Sequence, residues 1–215
     1  MEVILLSTTS DNKNEFFSES KFDAIKNIFI NVIELSKMIC KLKLNNGDRA
    51  VDCTMGNGND TELLCRLVGN EGKVYAFDIQ EEAVINTSKK LQAFNFLERA
   101  EIILDGHQNI DNYIQEKVRL VIFNLGYLPK GNHQITTKKE TTLEAVQKCL
   151  NILEPNGIIL LIIYPGHENG KIEKEALENF TSGLNQKKYN VAKLCFTNQI
   201  NNPPELICIE KVCPK

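Results

Sequence analysis

The alternation of apolar and polar segments along the 215-residue chain predicts strands and helices that succeed one another from residue 49 onward. Short apolar runs bounded by turn residues are typical of buried strands, and apolar residues three or four apart are typical of amphipathic helices. The predicted strands span residues 49–51, 73–77, 100–104, 118–123, 157–163, 190–196 and 205–210. The predicted helices span residues 62–68, 80–96, 108–115, 140–152 and 171–187.

The order of these elements predicts an α/β fold. Most strands are followed by a helix, which allows a parallel crossover, but only a loop separates the last two strands, so they are expected to pair antiparallel. We therefore expect a doubly wound, Rossmann-like sheet that ends in a C-terminal antiparallel hairpin.

Ahead of this alternation, residues 22–42 carry apolar side chains at helical spacing, and a possible capping box at residues 20–23 would start that helix. Residues 3–6 could add an edge strand, but the stretch up to residue 20 is otherwise poorly patterned. We expect residues 1–20 to form an N-terminal extension and residues 21–215 to form a single domain.

Composition narrows the classes of function. No apolar stretch approaches the roughly 18 residues of a membrane span, and the start of the chain lacks the pattern of a secretory signal, so a cytoplasmic protein is expected. Seven scattered cysteines without a Cys-x-x-Cys pair favour buried, reduced thiols over disulfides or zinc, and no metal site is expected. The net charge of −3 argues against a broad electrostatic grip on nucleic acid, but it allows local contacts through lysine pairs.

Candidate chemistry begins in the turn after the first predicted strand, over residues 52–61. Gly56 and Gly58 would let the backbone approach a ligand closely, and the start of the next helix supplies free N–H groups. The second strand ends in Asp78, about 20 positions past the glycines, where an acidic residue binds ribose hydroxyls in nucleoside-cofactor folds. A carboxylate that caps the following helix is the alternative for Asp78.

A second polar segment, residues 124–129, directly follows the strand at residues 118–123 and therefore lies at the sheet edge where open α/β folds bind ligands. The amide of Asn124 can hydrogen-bond an exocyclic nitrogen, and Tyr127 can stack on a flat ring. An ordinary turn after a strand explains the same residues equally well on spacing alone. If the segment binds a ligand, a planar substrate that carries an amine fits best.

Five segments together resemble the class I S-adenosylmethionine (SAM)-dependent methyltransferases, and specifically the bacterial family long labelled "putative rRNA methylases": residues 52–61, 77–80, 124–129, 164–168 and 198–204. Members of that family are understood as tRNA methyltransferases that convert 5-aminomethyl-2-thiouridine at the wobble position to its methylaminomethyl form. The resemblance, over about residues 21–212, implies SAM as cofactor and a tRNA anticodon stem-loop as partner. A homodimer is possible, and ribosomal RNA is the alternative substrate.

The resemblance also implies site residues. Those implied for cofactor binding are Asp52, Thr54, Gly56, Asn57, Gly58, Asp60, Thr61, Asp78, Gln80, Asp105, Gly106, His107 and Asn124. Those implied for catalysis are Asn124, Tyr127 and His167, and those implied for substrate binding are Leu125, Gly126, Leu128, Pro129, Asn198, Asn202 and Pro203.

Asn124 matches the first position of the Asn-Pro-Pro-Tyr motif of methyltransferases that act on exocyclic amines, and Tyr127 matches the last. Leu125 and Gly126 stand where that motif has two prolines, so the stiffness of this segment has to come from elsewhere. His107, His133 and His167 are the alternatives for a proton acceptor, and His167 is the first to test because it follows the fifth strand.

Two other classes of function stay open at this point. An NAD-dependent oxidoreductase would share Gly56, Gly58 and Asp78, but Thr61 occupies the place of the third fingerprint glycine and the terminal hairpin fits poorly. A non-catalytic binding module could keep the same fold.

Overall fold

The computed structural model describes residues 29–126 and 136–213. Its strands are β1 Arg49–Asp52, β2 Lys73–Asp78, β3 Ala100–Leu104, β4 Val118–Asn124, β5 Leu153–Ile163, β6 Tyr189–Leu194 and β7 Glu205–Lys211. Its α-helices are α1 Val32–Lys43, α2 Asn59–Val68, α3 Glu81–Ala93, α4 Lys139–Ile152 and α5 Glu168–Ser182, and short 3-10 turns cover Leu97–Arg99 and His107–Asn112.

The seven strands form one sheet in the order β3-β2-β1-β4-β5-β7-β6. The first five strands run parallel, and β7 is inserted antiparallel between β5 and β6. The predicted doubly wound sheet with a C-terminal antiparallel hairpin is therefore confirmed. The strand order reverses between β1 and β4, and their carboxyl ends form the crevice in which such sheets bind ligands.

Both faces of the sheet are buried, which explains why its central strands are apolar at nearly every position. Val51, Phe123 and Leu161 lie in the core under α4 and α5. Ala50, Leu120 and Leu160 lie in the opposite core, which α1 and α2 cover. Two packed cores hold the central strand ends in fixed relative positions, and the candidate site depends on that rigidity.

Among the described residues the first helix, α1, begins at Val32, because Phe29–Asn31 are not helical and Asn31 is the N-cap; residue 22, where the helical spacing starts, lies outside them. The Asn31 side chain accepts a hydrogen bond from the Glu34 N–H at 2.8 Å, which satisfies one of the free N–H groups of the first turn. The predicted capping box at residues 20–23, the edge strand at residues 3–6 and the rest of the N-terminal extension lie outside the described residues.

All seven cysteines are free thiols, and five of them are buried; Cys195 and Cys213 are exposed. Within residues 29–126 and 136–213, no helix has the length and apolar character needed to cross a membrane.

Candidate active site

The turn between β1 and α2 is held against the end of β2. Its conformation needs two glycines, because Gly56 (φ +49°) and Gly58 (φ +72°) both lie in the left-handed region. The Met55 N–H donates to the Phe77 carbonyl at 2.9 Å, and the Gly56 N–H donates to Oδ2 of Asp78 at 3.0 Å. The predicted glycine turn and the predicted ribose-binding carboxylate therefore lie side by side.

Helix α3 supports the same turn from behind. The Thr87 hydroxyl donates to the Gly56 carbonyl at 3.0 Å, and a Cβ on Gly58 would lie only 2.9 Å from that hydroxyl oxygen. Asn57 Oδ1 accepts a hydrogen bond from Asn86 at 3.0 Å. Gly58 is therefore required for close helix packing as well as for its backbone conformation, and the Asn57 side chain is already engaged by α3.

Asp78 has the acceptor capacity that a vicinal diol requires. Its Oδ1 accepts the Gln80 N–H and its Oδ2 accepts the Gly56 N–H, both at 3.0 Å, and each carboxylate oxygen can accept a further bond. Burial raises the pKa of Asp78, and the backbone N–H groups act against that rise. The half-buried carboxylate beside an open glycine turn fits the ribose of SAM.

Asp52 and Thr61 were predicted to bind the cofactor, but their side chains bind each other beneath the turn. Both are fully buried, and the Thr61 hydroxyl donates to Oδ2 of Asp52 at 2.6 Å while the Thr54 N–H donates to Oδ1 at 3.1 Å. We assign them to support of the turn. Desolvation, followed by repulsion from Asp60, raises the pKa of Asp52 to about 7.

The raised pKa of Asp52 predicts a pH-dependent stability. A carboxylate with a folded-state pKa above its unfolded value destabilises the fold increasingly as the pH rises from about 4 to about 7. Asp52→Asn removes this charge and keeps a similar side-chain shape. We expect the variant without cofactor to melt at least about 4 °C above the parent at pH 8, and the gap to shrink toward pH 4.5.

Differential scanning calorimetry at both pH values measures this gap. The control is Asp105→Asn. Hydrogen bonds, of which the one from Asn109 has the largest effect, lower the pKa of Asp105, so its charge should stabilise the fold at pH 8. An Asp52→Asn variant that melts below the parent at pH 8 contradicts the assignment.

Asn124, at the end of β4, is fixed through both its backbone and its side chain. Its N–H donates to the Thr54 hydroxyl at 2.7 Å, and its Nδ2 donates to Oδ2 of Asp60 at 3.1 Å. Burial raises the pKa of Asp60, and the hydrogen bond from Asn124 acts against that rise. Because Nδ2 makes this contact, the amide oxygen Oδ1 is turned away from Asp60. Sequence spacing does not reveal this contact between residues 64 positions apart.

The segment after β3 is organised around Asp105, which accepts bonds from the Gly106 N–H, Asn109 and the Tyr113 hydroxyl. His107 is buried, and its Nδ1 donates to the Cys53 carbonyl at 3.0 Å. Burial lowers the pKa of His107, so this imidazole is neutral and a weak base. Binding of adenine by residues 105–107 stays a prediction.

His167 is the N-cap of α5, and its Nδ1 accepts the Gly170 N–H at 3.0 Å. A neutral imidazole whose Nδ1 accepts carries its proton on Nε2, so His167 must break the cap before it can take another proton. Nδ1 of His167 therefore caps α5, and the catalytic role of His167 stays a prediction.

Of the predicted substrate-binding residues, Leu125 is 1% exposed and packs in the core, so its side chain is not available to a substrate. Asn198, Asn202 and Pro203 lie in the loop between β6 and β7. That loop is at the carboxyl end of β5, because Glu205 pairs with Ile163. Tyr127, Leu128, Pro129 and His133 lie outside the described residues.

The sequence profile of the family described as "Putative rRNA methylase" matches residues 74–210. The "tRNA (mnm(5)s(2)U34)-methyltransferase, chloroplastic" of Arabidopsis thaliana is 40% identical over 161 residues, which are 70% of this chain and 59% of that protein. Ribosomal RNA small subunit methyltransferase H of Finegoldia magna is 30% identical over 198 residues, which are 85% of this chain and 59% of that protein. The chain thus spans 59% of the length of both relatives.

Solved structures agree with the profile. A "putative rRNA-methylase" from Clostridium thermocellum superposes with a TM-score of 0.84 at 48% identity, over 85% of this chain and 98% of that chain. A "putative methyltransferase" from Streptococcus mutans, solved in complex with SAH, superposes with a TM-score of 0.77 at 43% identity, over 84% of this chain and 97% of that chain. This chain therefore belongs to the family of SAM-dependent methyltransferases described as "Putative rRNA methylase".

Proposed function

We propose that the chain transfers a methyl group from SAM to the aminomethyl nitrogen of 5-aminomethyl-2-thiouridine at the wobble position of tRNA. The observation that carries this proposal is the fixed amide of Asn124: Asp60 holds its Nδ2, and within residues 29–126 and 136–213 its Oδ1 accepts no hydrogen bond, so it can accept an N–H from an amine. The Arabidopsis relative, a tRNA (mnm(5)s(2)U34)-methyltransferase by name, supports the same substrate.

Asn124 and Asp78 divide the work of positioning. Bound SAM supplies a methyl group on a cationic sulfur. A neutral amine can attack the methyl carbon directly, and the sulfur leaves as the neutral thioether of SAH. Asp78 would hold the ribose, and Oδ1 of Asn124 would accept one N–H of the amine and so aim the nitrogen lone pair at the methyl carbon. As the N–C bond forms and the S–C bond breaks, the amine becomes a secondary ammonium, which then releases its proton to water.

Both histidines of the described ranges already use one ring nitrogen in a hydrogen bond. Within residues 29–126 and 136–213 the histidines are His107, which is buried with a lowered pKa, and His167, which caps α5. Direct displacement by a neutral amine needs no general base in the transfer step, so the proposed reaction does not depend on either of these histidines.

Ribosomal RNA is the second candidate substrate, because the similarity to ribosomal RNA small subunit methyltransferase H covers 85% of this chain. The net charge of −3 favours binding of a short RNA stem-loop over an extended interface with many phosphate contacts to ribosomal RNA. An unpaired anticodon base also enters a pocket without the cost of opening a duplex.

A transfer assay tests the proposal. Purified protein receives SAM with a labelled methyl group and one of three RNAs: tRNA with 5-aminomethyl-2-thiouridine, the same tRNA without the aminomethyl group, or intact ribosomal RNA. We expect label only on the first, because the other two offer no aminomethyl nitrogen to Asn124. Label on ribosomal RNA alone, or equal label on both tRNAs, would refute the proposal and favour the second candidate.

A further inference from the structure

Helix α5 carries a buried carboxylate that the proposed mechanism does not use. Glu173 is 3% exposed, and its Oε1 and Oε2 accept bonds from the hydroxyls of Thr142 at 2.6 Å and Thr137 at 2.8 Å. In the described ranges no lysine or arginine forms an ion pair with it. Burial raises the pKa of Glu173, and the bonds from Thr142 and Thr137, together with electrostatic interaction with His167, act against that rise.

Thr137 links this carboxylate to the segment that follows Asn124. Its hydroxyl accepts the Gly126 N–H at 3.2 Å, and its own N–H donates to the Gly126 carbonyl at 3.0 Å. Residues 137–140 read Thr-Lys-Lys-Glu, a pattern that predicts a capping box with Thr137 as the N-cap. That prediction is wrong, because α4 has Lys138 as its N-cap and the Thr137 hydroxyl is directed to Glu173. Because the Thr137 hydroxyl donates its proton to Glu173, the lone pairs of the hydroxyl oxygen point away from Glu173 and can accept the Gly126 N–H.

The same segment is fixed on its other side. The Asn124 N–H donates to Thr54 at 2.7 Å, and the Leu125 N–H donates to the Ile162 carbonyl of β5 at 2.8 Å. Three consecutive N–H groups are thus used for anchoring, whereas a proline at residue 125 or 126 has none to donate. Gly126 also has φ +146°, which a proline ring does not permit.

We propose that Glu173 is a positioning residue: acting through Thr137 and Gly126, it supplies by hydrogen bonds the stiffness that two prolines give in related motifs. This inference rests on the proposed function, because the group it positions is Asn124. Glu173 itself does not touch the substrate. Its effect is expected on the rate of the transfer step and not on SAM binding.

Four variants test the inference. Thr137→Val removes the hydroxyl that accepts the Gly126 N–H, and Glu173→Leu removes the acceptors of both threonine hydroxyls. We expect both to lower kcat by about tenfold to a hundredfold and to change KM for SAM by less than about threefold. Thr137→Ser keeps the hydroxyl and should retain the parent kcat.

Thr142→Val is the matched control, because it removes the other hydroxyl on Glu173 but does not touch Gly126. It should lower Tm about as much as Thr137→Val while keeping kcat within about threefold of the parent. If the loss of kcat for each degree of lowered Tm is the same in Thr142→Val and Thr137→Val, Glu173 only stabilises the fold and the inference is wrong.

Amide hydrogen exchange at Gly126, followed by NMR, gives a readout that does not depend on activity. Exchange should be faster in Glu173→Leu and Thr137→Val than in the parent, and unchanged in Thr142→Val. Unchanged exchange in the first two variants overturns the inference even if the parent enzyme is active. A parent that methylates no RNA refutes the proposed function instead, and the exchange rates then still decide whether Glu173 anchors Gly126.

Discussion

Replacing Asn124 with alanine is expected to lower kcat for tRNA methylation by about a hundredfold or more and to change SAM affinity by less than about threefold. The contact of Oδ1 with the amine contributes in the transition state, where the lone pair must point along the S–C bond, so its loss appears in kcat. Single-turnover kinetics and calorimetric titration with SAM measure the two quantities separately. A folded, SAM-binding variant that turns over at the parent rate would show that Asn124 does not aim the amine.

A double-mutant cycle with Asp60 sharpens this test. If Asp60 acts by holding Nδ2 of Asn124, then Asp60→Ala should lower kcat less than Asn124→Ala does, and the double variant should be no slower than Asn124→Ala alone. Independent, additive losses would indicate that Asp60 contributes through another contact, such as its predicted one with the cofactor.

The second large effect is expected at Asp78. Asp78→Ala removes the two acceptor oxygens proposed for the ribose hydroxyls, each bond contributing roughly 1.5–3 kcal/mol when charge-assisted, so SAM affinity should fall at least tenfold. The substitution also removes the carboxylate that accepts the Gly56 and Gln80 N–H groups, which adds to the loss. Calorimetric titration of the variant with SAM and with SAH measures the effect.

Asn86→Ala is the control for this variant, because Asn86 supports the same turn through Asn57 but offers no acceptor to a ribose. Its SAM affinity should stay within about threefold of the parent. An unchanged affinity in Asp78→Ala would rule out the ribose assignment, and an equal loss in both variants would assign the effect to the turn.

The parts of the site that follow strand ends could be predicted from sequence. Parallel strands bring their carboxyl ends to one edge, so Gly56, Asp78 and Asn124 are expected at one crevice. In the described structure Asp78 and Asn124 end β2 and β4, and Gly56 lies in the turn that follows β1. Strand and helix identities were likewise predicted correctly from apolar periodicity, because both faces of this sheet are buried.

The partners of the polar side chains could not be predicted. Asp60 lies 64 residues from Asn124, and Glu173 lies 36 residues from Thr137, so only packing of the folded helices reveals these contacts. Thr137 is an example. The sequence around it, residues 137–140, predicts a contact within one helix turn, but its hydroxyl contacts Glu173, 36 residues away. Similarly, His167 met the expectation for its place after β5, yet its ring is used in capping α5.

Nucleoside analysis of cellular tRNA tests the central claim most directly. tRNA from cells lacking this protein is digested and examined by mass spectrometry beside tRNA from cells complemented with the parent or with Asn124→Ala. We predict that 5-aminomethyl-2-thiouridine accumulates without the protein, that the parent restores the methylaminomethyl form, and that Asn124→Ala does not. Unchanged methylaminomethyl content in tRNA from the cells without the protein, with a methyl group missing from ribosomal RNA, would contradict the account.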